Sequence, residues 1–126
     1  MKLTFQIPAM VAVLVLLADT ELSRADGTTP KYTVQEIMKA VFKGDDALAK
    51  KIGKGNGSKT DFAKLEDYVT SLPLNDAPQG DPAGWKKKTA AVLEAVTALK
   101  TGKPGALAQY NLAVDCKSCH SVYRPE

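Results

Sequence analysis

From residue 33 onward, apolar positions recur in threes and fours rather than in alternation. Val34, Ile37, Met38, Val41 and Phe42 share one helix face. They follow TVQE (33–36), a capping box in which the Thr33 hydroxyl accepts from a backbone N–H and Glu36 reaches back to the cap. Gly44 ends this run, and Asp45 and Asp46 open a short second segment through Ile52. GKGNGS (53–58) is a flexible break; no Gly-Lys-Ser/Thr follows at phosphate-loop spacing. The next helix is predicted over 60–72, with Phe62, Leu65, Val69 and Leu72 on one face. PLNDAPQGDPAG (73–84), with its prolines and glycines, reads as an irregular connection. A long helix is predicted over 85–101, its apolar face carrying Trp85, Val92, Val96 and Leu99. Gly102 stops it, and Pro104 suits the first turn of a final helix. That last helix is expected to carry Leu107, Tyr110 and Val114 and to continue into CKSCH (116–120). β-type alternation is scarce. The expected fold class is all-α, an antiparallel four-helix bundle with an extra turn or two.

The first residues follow a different pattern. Lys2 precedes the apolar run PAMVAVLVLLA (8–18), and SRA (23–25) offers small residues for cleavage before Asp26. Residues 1–25 are therefore expected to be a secretory signal peptide and 26–126 one domain. The apolar run is shorter than the roughly 20 residues that span a bilayer, so no permanent membrane anchor is expected. A domain of this size buries roughly two thirds of its unfolded surface and would be helped by a bound ligand.

The formal charge of +3 is unchanged by cleavage, because Lys2 and Arg24 leave with Asp19 and Glu21. It is too weak and dispersed to argue for nucleic acid, yet it suits an acidic protein partner. KKK (86–88) near the start of the long helix is either a solvated face or a docking patch for such a partner.

The chemistry is concentrated at the far end. Cys116 and Cys119 are the only cysteines and His120 the only histidine, all within CKSCH. On a helix, residues three and four apart fall on one face. C-x-x-C-H is the pattern of covalent c-type haem attachment: each sulfur forms a thioether with one porphyrin, and the imidazole turns under the iron as proximal ligand. A thioredoxin-like dithiol would accompany a βαβ pattern, which is missing. A structural zinc site needs four ligands, one more than this cluster has. A disulfide leaves the adjacent histidine unexplained. Met38 is the sole methionine after cleavage. It is either core packing or a second axial ligand to the iron. Trp85, the only tryptophan, and Phe62 either pack on a porphyrin or fill the bundle.

With its haem motif last, the chain resembles the class II cytochromes c, comprising cytochrome c′ and its low-spin relatives of the cytochrome c556 type. CKSCHSVYR (116–124) is similar to the family's closing motif, including an arginine four residues past the histidine, here Arg124. VQEIMKA (34–40) is similar to the first-helix segment facing the distal side of the haem, and Met38 falls where low-spin members place their methionine ligand. The resemblance covers the two end helices well and the middle loosely. Where many members carry an arginine that meets a propionate, this chain has Val34, with Lys31 and Lys39 nearby. The resemblance implies a periplasmic monohaem carrier of single electrons, with redox proteins as partners and a homodimer among the forms the family adopts. Its high-spin branch implies the alternative, a five-coordinate haem that binds nitric oxide or carbon monoxide. No second histidine or assignable carboxylate pair accompanies the motif, so a carrier is expected rather than an enzyme.

Overall fold

In the computed structural model, residues 29–126 are described, and among them every regular element is helical. The leader expected over 1–25 and its cleavage point before Asp26 lie outside the described residues. Among the described residues no helix is long and apolar enough to cross a membrane.

The first helix, α1 (Val34–Ile37), starts as its capping box dictates. Thr33 Oγ1 accepts from the Glu36 N–H at 3.2 Å, and Glu36 Oε2 accepts from the Thr33 N–H at 2.7 Å. Those Thr33 donors hold the Glu36 carboxyl below its ordinary range. α1 then widens into a π-helical turn, Met38–Phe42, in which the Lys43 N–H donates to the Met38 carbonyl at 2.8 Å. Ile37 and Val41 are buried; Met38 and Phe42 are half-buried against the same core. Gly44 turns the chain with a φ of 96°, a backbone region other residues rarely occupy.

The second segment, α2 (Leu48–Gly53), begins later than Asp45 and Asp46 suggested, with Ala47 at its cap. Asp45 instead pairs with Lys50 at 3.6 Å on the surface. Helix α3 (Lys59–Val69) carries a signal the periodicity did not reveal, a second capping box of Ser58 and Asp61. Asp61 also accepts from Lys51 Nζ at 2.8 Å, and these bonds, Lys51's first, hold its carboxyl at about 2. Leu72 was expected inside this helix; it is buried instead in a 3₁₀ turn, Leu72–Leu74.

Around that turn lies the polar framework of the core. Buried Ser71 accepts from the N–H groups of Lys31 and Tyr32, and Asn75 Nδ2 donates to the carbonyls of Tyr32 and Ser71. The Trp85 indole N–H then donates to the Asn75 carbonyl at 2.9 Å. Tyr32 stacks on Tyr68 at 4.3 Å between centroids, and Lys31 and Tyr32 both bond Asp67.

Helix α4 (Pro82–Lys100) starts at the Asp81 cap, three residues before the predicted boundary, and puts Trp85, Thr89, Val92, Ala95 and Val96 into the core. It runs antiparallel to α3: Trp85 meets the end of the 3₁₀ turn, whereas Thr97 and Lys100 reach Glu66 at 3.3 and 2.8 Å. The chain then departs from the sequence expectation twice. Pro104 lies in the turn before α5 (Ala106–Ala113), whose cap is Gly105 at φ 73°. The expected single final helix is two, because Val114 leaves helical geometry and Asp115 caps a separate α6 (Cys116–Tyr123). Leu107, expected on the core face, is 37% exposed, whereas Tyr110 is buried and donates its hydroxyl to the Ala49 carbonyl at 2.9 Å.

This bond ties α5 to α2 across the core. Tyr110→Phe should lower the unfolding free energy by about 1 kcal/mol with the urea m-value unchanged. A denaturation curve superimposable on that of the wild type would show that the hydroxyl contributes nothing.

Candidate functional site

The cysteine motif owes its helix to Asp115. Its side chain accepts from the Ser118 N–H at 3.1 Å, supplying one of the bonds that the first turn lacks. That donor holds the Asp115 carboxyl below its ordinary range. Cys116, Cys119, His120 and Tyr123 recur at helix-face spacing along α6. Tyr123 fastens this face to the body, its ring meeting Trp85 edge-on with centroids 5.4 Å apart. The contact is close: a Cβ on Gly84 would lie 2.6 Å from the Tyr123 hydroxyl. Gln79 closes the far end by donating to the carbonyls of Val122 and Arg124. Near the other end, Lys88 Nζ reaches from α4 to Ser118 Oγ at 3.1 Å.

Both thiols are free, Cys116 exposed and Cys119 half-buried. Burial pushes the Cys119 thiol up, with the Lys88 charge opposing it. His120 is exposed. Among the described residues no three Cys, His, Asp or Glu side chains converge on a point where they could hold an ion together. α6 does place the two sulfurs one helical turn apart with the imidazole beside them.

Cys116 also lines a cavity of about 170 Å³ with Phe42, Ala49, Lys50, Gly53, Tyr110, Asn111 and Val114. The end of the first helix is thereby brought to the start of the motif. Met38 lies one turn before Phe42, half-buried against the core and outside this cavity lining. The volume is small beside the roughly 300–1,000 Å³ of ordinary ligand pockets. A larger open hollow of about 480 Å³ lies over residues 43–48, but its lysines and aspartates include no sulfur or imidazole.

The other candidates are placed as follows. Trp85 is buried, with its indole N–H occupied by Asn75, and reaches α6 through Tyr123. Phe62 is half-buried beside Gly57 and Ile52, in the α2–α3 corner. Arg124 ends α6, its N–H donating to the His120 carbonyl, and its side chain is exposed. Sequence reasoning missed Tyr123 and the bond of Lys88, singled out only as part of KKK (86–88), to Ser118. Tyr123 was legible in principle, since it repeats the Cys116 position two turns on; the Lys88–Ser118 bond joins residues 30 apart and had no local signal.

The chain matches no protein-family model, no curated protein and no solved structure.

Two outcomes follow from this geometry. Near neutral pH, iodoacetamide should modify the free thiol of Cys116 faster than that of Cys119; equal rates by peptide mass spectrometry would contradict the burial difference. The Asp115 cap, with a folded-state carboxyl below its unfolded value, stabilises α6 above the ordinary aspartate range and is lost as pH falls through the depressed value. Amide exchange of Ser118 and Cys119 should accelerate relative to α4 across that window, and Asp115→Ala should remove the pH dependence.

Proposed function

We propose that this protein is a secreted, periplasmic monohaem c-type cytochrome whose role is one-electron transfer, built as an antiparallel four-helix bundle. In this reading the first helix, α3, α4 and the α5–α6 pair enclose one core. The observation that carries the proposal is the motif helix: two free thiols one turn apart, an adjacent exposed imidazole, and an apolar slot opening beside Cys116. Cys116 and Cys119 would hold the haem through thioethers, and His120 would hold its iron from the proximal side. When bound, the haem supplies a ferric/ferrous couple.

The protein's own residues set the conditions for that couple. Phe42, Val114 and the buried Tyr110 present an apolar wall beside Cys116. Asp115 and Tyr123 fix the two ends of α6, so the sulfurs and the imidazole keep one mutual geometry. Met38, one turn from Phe42 on the first helix, is proposed as the distal ligand. Its half-burial outside the cavity lining favours a second reading. In that reading the iron is five-coordinate and binds nitric oxide or carbon monoxide.

Spectra of the exported protein separate these outcomes. Cys116→Ser with Cys119→Ser should abolish pigment that survives acid–acetone extraction; pigment retained in the double variant would sink covalent attachment. A low-spin ferric spectrum is expected for the wild type, and Met38→Ala should keep the pigment but convert it to a high-spin form that takes up carbon monoxide when reduced. An identical spectrum in Met38→Ala removes Met38 from the iron, and a high-spin wild type decides for gas binding.

A further inference from the structure

The lysines of this chain are not equivalently engaged. Lys31, Lys50, Lys51 and Lys100 each pair with a carboxylate. Among the described residues Lys86, Lys87, Lys88 and Lys117 form no ion pair, which is true also of lysines such as Lys54, Lys59 and Lys64; what sets these four apart is that the Lys88–Ser118 bond brings their two helices together. Lys88 occupies the second turn of α4 and Ser118 the first turn of α6, so Lys117 sits beside the α4 run. Lys86 and Lys87 are exposed, and so is Lys117.

Fold stability does not account for this placement. Cations near helix N-termini oppose the helix dipole, most of all Lys117 in the first turn of α6. Asp115 is the one carboxylate set into this seam by the observed bonds, and it is committed to the Ser118 N–H.

We propose that the seam between α4 and α6, with Lys86, Lys87 and Lys117 around the Lys88–Ser118 bond, is the docking surface for an acidic protein partner. Charge complementarity selects that partner: several ammonium groups without a carboxylate partner cluster on two adjoining helices, and such patches raise association rates with surfaces of opposite charge. That the partner is a redox protein rests on the haem proposal; the acidic footprint does not.

The test is a titration of the ¹⁵N-labelled exported protein with poly(L-glutamate), read by amide shifts. The expected result is a footprint on residues 86–88 and 117–118 that fades at high salt. Lys86→Glu with Lys87→Glu and Lys117→Glu should weaken binding at least roughly tenfold. Lys54→Glu with Lys59→Glu and Lys64→Glu changes the net charge equally on other exposed positions and should leave binding near wild type. The corresponding glutamine variants serve if charge reversal disturbs folding. A footprint elsewhere, equal loss in both triple variants, or tighter binding of poly(U) than of poly(L-glutamate) at the seam would overturn the proposal. Haem staining of the same samples separates the two proposals. A colourless protein with the footprint keeps the surface and loses the haem; a pigmented protein without it does the reverse.

Discussion

The seating of Trp85 is the constraint on which the rest of the structure depends. Its indole N–H is satisfied by the Asn75 carbonyl, its ring is almost wholly removed from water, and its edge receives Tyr123. A buried indole without a partner for its N–H would be costly, so the turn after α3 has to present a carbonyl at this point. Asn75 does so because its own amide is anchored to Tyr32 and Ser71. One hydrogen-bonded chain therefore runs from the entry of the fold, through the 3₁₀ turn, to Trp85 on α4, and an edge-on aromatic contact carries it on to the helix bearing the cysteines. The chemistry at the C-terminal end is positioned by residues that are distant in sequence and close in space.

Much of this was legible in the chain, for identifiable reasons. The capping box at Thr33, the apolar face of α3 and the long α4 are local signals, and local signals survive folding. C-x-x-C-H is equally local, which is why its three residues fall together on α6 as spacing required. The failures were also physical. Pro104 was assigned to a first helical turn because proline fits there, but Gly105, with its positive φ, takes the cap instead. The final segment was read as one helix; Val114 ends the first and Asp115 caps the second. Tyr110, Lys88 and Gln79 form bonds across long sequence separations, and no periodicity announces those.

Burial also distinguishes the two ends of the proposed site. The sulfur helix lies at the surface, with Cys116 and His120 exposed, whereas Met38 and Phe42 are packed into the body. One side of a bound porphyrin would therefore be set by a short surface helix and the other by the core. The α6 side of that proposed site would tolerate adjustment, whereas the Met38 side would inherit the stiffness of closely packed interiors.

The interruption at Val114 and Asp115 has a consequence for biogenesis. An eight-residue helix is too short to persist by itself, and α6 is held by one aromatic contact, one cap and a few polar ties rather than by a deep apolar face. It can peel away from the body while Tyr110 still locks α5 to α2. A modifying enzyme would thus find both sulfurs on a detachable tail, accessible without melting the interior, and the same tail would be drawn down and stiffened once its cargo was in place.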